Sequence, residues 1–134
     1  MKITKQYTIL IVEDEELLLR AVSKKLEISG YMTVSCCTGK QALDYLDNFP
    51  ELPSAIWLDY YLKDMNGLEF LEAVKKNPRF KDIPVFVISN SANPEKVSRM
   101  LALGATKYLL KAEYRLDDII VVLGSFIESS QHTT

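Results

Sequence analysis

Five short apolar runs recur along the 134-residue chain, near residues 7–12, 32–36, 54–58, 84–89 and 106–110, and each is followed by a stretch with helical spacing. The runs are rich in β-branched and aromatic residues and are too short for buried helices, so they are predicted to be strands. The first helix is predicted from Glu15 to Ser29, with Leu18, Ala21, Val22 and Leu26 on one face and Gly30 as its stop. The second starts near Gly39 and ends before Pro50, and the third opens at Gly67 and carries Leu68, Phe70, Leu71 and Val74 before Asn77 and Pro78. Asn93 and Pro94, a cap followed by proline in the first turn, open the fourth, which stops at Gly104. The last covers about Leu116 to Glu128 and leaves a polar tail, Ser129 to Thr134, that is expected to fray. Strand and helix alternating five times through short loops is the pattern of an α/β domain, a parallel sheet with helices on both faces.

The length fits a single domain, residues 1–134 with a core of about 6–128, large enough to bury a core without disulfides or structural metals. A formal net charge of −2 argues against a direct nucleic-acid footprint. Apolar stretches end well short of the roughly 20 residues a membrane helix needs, and the N-terminal residues lack the apolar centre of a signal peptide. The expectation is a soluble cytoplasmic protein with no membrane partner. Cys36 and Cys37 are adjacent, which disfavours a bridge between them and matches no zinc or redox spacing.

In an open α/β sheet the C-terminal ends of the strands face the ligand crevice. Glu13 and Asp14 follow the first strand, Asp59 ends the third, Ser89 ends the fourth, and Lys111 follows the fifth, so all five belong to one sheet edge. Two like charges about 4 Å apart repel by roughly 4 kcal/mol at an effective dielectric near 20, so three acids gathered there call for a cation or shifted pKa values. Glu13 and Asp14 suit Mg²⁺, which takes one or two carboxylates plus water and phosphate oxygens. Asp59 then has the chemistry of a nucleophile toward phosphorus, Ser89 of a donor to a phosphoryl oxygen, and Lys111 of a counter-charge for the transition state.

Each residue alone has a plainer explanation. Acids in a first helical turn are favoured by the helix dipole, which accounts for Asp14 but not for Asp59. A serine closing a buried strand often satisfies only a local backbone group. Tyr108 fits a half-buried strand position, and Trp57 fits packing on the sheet. The sole histidine, His132, lies in the polar tail outside the predicted elements and offers no internal phosphate relay.

The acidic pair after strand one, the segment from Asp59 through Tyr60, Tyr61, Leu62, Lys63, Asp64, Met65 and Asn66 to Gly67, Ile83-Pro84-Val85 leading to Ser89, and Gly104-Ala105 leading to Tyr108 and Lys111 occur in one order and spacing. With them the chain resembles the receiver domain of two-component response regulators over nearly its whole length. The resemblance implies a flavodoxin-like, doubly wound five-stranded parallel sheet of order 2-1-3-4-5 with five helices. It implies Asp59 as phosphoacceptor, taking its phosphoryl group from the phosphohistidine of a sensor histidine kinase or phosphotransfer protein. Mg²⁺ would be held by Glu13, Asp14, Asp59 and the Tyr61 main-chain carbonyl. Ser89 and Tyr108 would form the switch pair, reporting to a face of helix four, strand five and helix five that binds a downstream target; a homodimer stays open as a further partner. Such a domain assists its own phosphorylation and hydrolysis and is not otherwise an enzyme.

Three positions depart from the family pattern. Asn90 stands where a small residue is usual and is expected to crowd the pocket. Lys63 replaces a common proline, leaving the loop after Asp59 less restrained. Ala112 follows Lys111 in place of a proline, so a trans bond is expected there. Asn90 and Ala112 keep open an alternative, a phosphorylation-independent receiver-like interaction module. A flavin carrier on the same architecture needs a phosphate loop after strand one, where the acids from Glu13 to Glu16 would repel a phosphate. On helix one, Leu17 and Ile28 are predicted to flank the buried face on one side and Leu19 on the other, a surface suited to docking a donor helix.

Overall fold

A computed structural model describes residues 6–91 and 93–132. Its elements alternate as β1 (Thr8–Val12), α1 (Glu16–Ile28), β2 (Met32–Cys36), α2 (Gly39–Asn48), β3 (Ala55–Asp59), α3 (Gly67–Lys76), β4 (Val85–Ser89), α4 (Pro94–Leu103), β5 (Lys107–Leu110) and α5 (Leu116–His132). The five strands form one parallel sheet in the order β2-β1-β3-β4-β5. The reversal of strand order between β1 and β3 opens a crevice at their C-terminal ends, the place where this architecture puts ligands.

Period-two alternation along the strands explains why both faces are covered. Leu10, Val12, Ile56, Leu58, Val85 and Val87 point to one face and pack with Ala42 and Leu46 of α2, Phe70, Leu71 and Val74 of α3, and Met100 of α4. Ile9, Ile11, Trp57, Phe86 and Ile88 point to the other and pack with Val22 and Leu26 of α1 and Ile119, Ile120, Leu123 and Ile127 of α5. Trp57 is buried in this second core, as its packing reading required.

Local chemistry sets the helix ends. Thr38 accepts from the Gln41 amide, Asn93 accepts from Glu95 and Lys96, and Asn66 with Glu69 forms a reciprocal capping box. Gly104 ends α4 at φ 115°, a left-handed conformation that favours glycine.

Two expectations are corrected. Ala21 is exposed, while Leu19 is half-buried and packs on the α1/α5 core, so the inward face of α1 is Leu18, Leu19, Val22 and Leu26. The helix turns toward the side that buries a leucine, because alanine offers little apolar area to the sheet. The second concerns α5, which continues four residues past Glu128 to His132; Ser129, Ser130 and Gln131 include no glycine or proline to stop it. Residues 133–134 of the expected tail lie outside the described residues. Among those described, no helix is long and apolar enough to cross a membrane.

Candidate functional site

The sheet register brings the chemistry to one edge. Val12 pairs with Leu58, so the residues that follow them, Glu13 and Asp59, sit side by side, and the Glu13 amide donates to the Cys36 carbonyl at 3.0 Å, prolonging the β1–β2 ladder by one bond. On the other side Asp59 pairs with Ile88 and Ser89 with Leu110. The Lys111 amide donates to the Ser89 carbonyl at 2.9 Å, which holds the lysine at the end of β5 against β4.

Glu13 is fully buried and Asp59 nearly so, whereas Asp14 is half-exposed at the rim. One carboxylate oxygen from each of the three lies within 4.8 Å of the others. The Lys111 ammonium enters the cluster 3.3 Å from Glu13 Oε1 and 3.6 Å from Asp59 Oδ1. Glu13 Oε2 accepts from the Glu15 amide at 3.1 Å, and Asp59 Oδ1 faces the Tyr61 amide at 3.5 Å. Burial, reinforced by the Glu13 charge, pushes the Asp59 carboxyl from 3.8 up to about 7, with Lys111 and the Tyr61 amide pulling against that rise. One ammonium does not neutralise three acids, so the cluster is suited to a divalent cation. Octahedral Mg²⁺, with oxygens at about 2.1 Å, spreads its ligands over at most about 4.2 Å, a span these carboxylates reach with small side-chain rotations.

Ser89 and Tyr108 meet on a common residue. The fully buried Ser89 hydroxyl accepts from the Ser91 amide at 3.1 Å, and the Tyr108 hydroxyl donates to the Ser91 carbonyl at 3.0 Å. Serine here does satisfy a local backbone group, and the same bond ties it to the β4–α4 loop that Tyr108 grips from β5. Desolvation raises the half-buried Tyr108 phenol above its ordinary range.

The loop after Asp59 is well restrained despite Lys63. Tyr61 forms an antiparallel bridge with Asn66, and the Gly67 amide donates to the Tyr60 carbonyl at 2.6 Å. Asp64 then reaches the N-terminus of α2, where its two carboxylate oxygens accept from the Gly39 and Lys40 amides, each at 2.9 Å. Desolvation works against the Asp64 anion, but these amide bonds win and hold its carboxyl below the ordinary value. No local sequence pattern announces this contact, which joins residues 24 and 25 apart. The Asn66–Glu69 box by contrast carries a local signal, an N-x-x-E spacing, that the sequence reading did not use. Asn90 follows the last buried residue of β4 and is exposed, so its amide is not packed into the cluster, contrary to the expected crowding. No cis peptide occurs among the described residues, as expected for Ala112.

The family model for the response regulator receiver domain matches residues 9–123. The two-component response regulator ORR5 of Oryza sativa subsp. japonica is 34% identical over 103 residues, which span 77% of this chain and 76% of the rice protein. The transcriptional regulatory protein CitT of Halalkalibacterium halodurans is 33% identical over 110 residues, 81% of this chain but 47% of that protein. Among solved structures, the chemotaxis response regulator CheY4 of Vibrio cholerae superposes with a TM-score of 0.81 at 26% identity, covering 90% of this chain and 98% of that one. A CheY-like receiver domain protein of Methanospirillum hungatei JF-1 shares the fold with a TM-score of 0.86 at 24% identity, over 97% and 100% of the two chains.

Proposed function

Because the chain belongs to the response regulator receiver family, we propose that Asp59 is its phosphoacceptor and that Glu13, Asp14, Asp59 and the Tyr61 main-chain carbonyl hold Mg²⁺. The observation that carries the reading is the Lys111 ammonium placed within 4 Å of both Glu13 and Asp59 inside a cluster of three acids. A carboxylate near an electron-poor phosphorus and a fixed cation beside it are the parts phosphoryl transfer needs.

In the forward step an Asp59 carboxylate oxygen attacks the phosphorus of a phosphohistidine on a sensor histidine kinase or phosphotransfer protein. The P–N bond breaks, its electron pair stays on the imidazole nitrogen, which takes up a proton, and an acyl phosphate forms on Asp59. A bound Mg²⁺ would supply the positive charge that lets two anionic groups approach. Lys111 pairs with phosphoryl oxygens as they accumulate charge, and the Ser89 hydroxyl, released from the Ser91 amide, donates to one of them. That release loosens the loop residue on which Tyr108 also depends, which passes the event to the face built from α4, β5 and α5. A downstream target binds there. The joint retention of the acids and Lys111 in one cluster weighs against a phosphorylation-independent module.

An acyl phosphate is cleaved by hydroxylamine and a phosphoester is not. After incubation with acetyl phosphate and Mg²⁺, hydroxylamine should convert Asp59 to a hydroxamate that peptide mapping locates. A hydroxylamine-stable phosphate, or a hydroxamate at another acid, contradicts the assignment.

A further inference from the structure

Lys96 lies in the first turn of α4, where the helix dipole disfavours a cation. Its position is explained by what it meets across the cleft. The ammonium sits 4.4 Å from the centroid of the Tyr60 ring and 4.5 Å from that of Tyr61, and it donates to the Tyr61 hydroxyl. The two rings pack edge to face at 4.9 Å. Tyr60 is buried and closely backed by Gly67, where an added Cβ would come within 3.0 Å of the Tyr60 Cα, so the inner ring has little room to retreat. Tyr61 is 49% exposed. A large aromatic side chain so far from the core is placed by its polar contacts with Lys96 and Ser91 more than by burial, and the main chain of the same residue faces Asp59 Oδ1.

We propose that Lys96 is a positioning residue: through Tyr60 and Tyr61 it couples the placement of the α4 N-terminus to the loading of the acidic site. A shift of residues 60–61, as the site takes up a cation and a phosphoryl group, moves both rings and therefore the ammonium between them. The path reaches α4 directly from the acceptor loop and runs beside the contacts of Ser89 and Tyr108 with Ser91, since the Tyr61 side chain also meets Ser91. The inference rests on the acceptor role proposed for Asp59.

The test is the amide NMR spectrum of the full chain with and without saturating Mg²⁺ and beryllofluoride, compared for the parent, Lys96→Met, Lys96→Arg and Tyr61→Phe. In the parent, amides at 58–61 and at 94–97 are expected to shift together. In Lys96→Met and Tyr61→Phe, the amides at 58–61 shift while those at 94–97 lose most of their response, and Lys96→Arg, which keeps a cation over the rings, restores it. An α4 response in Lys96→Met equal to the parent's overturns the proposal. A loss that Lys96→Arg does not restore also overturns it, because the effect then follows from disturbing α4 alone. Shifts at 58–61 in the parent with none at 94–97 refute the coupling and leave the acceptor site standing. No shift at 58–61 in the parent refutes the acceptor reading and the coupling with it.

Discussion

At Asp59, burial and the neighbouring Glu13 carboxylate act in the same direction, so the metal-free acid titrates at about 7 in the folded chain against an ordinary 3.8. Between those values the folded state binds more protons than the unfolded one, and stability therefore falls as pH rises, with the whole cost present above about pH 7. Asp59→Asn removes that cost. In chelator, the variant is expected to melt roughly 10 °C above the parent near pH 8, the gap closing toward pH 4. A gap that stays constant over that range would show that the charge at Asp59 is not its source. Saturating Mg²⁺ should narrow the gap at pH 8 by stabilising the parent selectively. Asn90 yields a negative prediction at the same scale. It is exposed and not packed into the cluster, so Asn90→Ala should change the rate of labelling by acetyl phosphate less than about threefold. A large acceleration in stopped-time labelling would return Asn90 to the pocket.

Among the elements, the loop between β3 and α3 is held from outside itself, by Asp64 on the α2 N-terminus and by Lys96 on Tyr60 and Tyr61. Asp64→Ala removes the acceptor for two helix amides and is expected to cost about 1–2 kcal/mol in urea unfolding. It should also slow labelling of Asp59, since the loop that carries the Tyr61 carbonyl loses its anchor. Unchanged stability would mean that water replaces the carboxylate at no cost. On α1 the two leucines once paired as surface candidates now separate. Leu17 is 78% exposed, so Leu17→Ser should cost less than about 0.5 kcal/mol while slowing phosphotransfer from a cognate kinase. Leu19 packs on the core, and Leu19→Ser should cost about 1–3 kcal/mol. Equal losses would place both on the same face. The sequence pattern located α1 but not its rotation, because Leu18, Val22 and Leu26 are compatible with either Ala21 or Leu19 turned inward, and only packing against β2, β1 and α5 decides. The helix start with a local cap was readable at Asn93, and Asn66 carries a local N-x-x-E signal that the reading of the third helix did not use, whereas Asp64 has none, since its partners arrive through the fold.

In the whole molecule, the strand order and the two-sided core follow from alternation that is visible in the chain: Ile9 and Ile11 to one face, Leu10 and Val12 to the other. The acidic cluster was legible for the same reason. Parallel strands deliver their C-terminal residues to one edge, so Glu13, Asp59, Ser89 and Lys111 were bound to converge once five strands were recognised. Ser89 and Tyr108 converging on Ser91 was not legible, because it depends on where the β4–α4 loop folds back. The proposed consequence of this convergence is a metal-dependent phosphoacceptor at Asp59. Intact-mass measurement of the chain after incubation with acetyl phosphate tests it most directly, run with Mg²⁺, with chelator, and on Asp59→Asn. The parent with Mg²⁺ should gain the mass of one phosphoryl group, and neither the chelated parent nor the variant should gain it. A phosphoryl mass on Asp59→Asn, or equal labelling in chelator, would contradict a metal-dependent acceptor at Asp59.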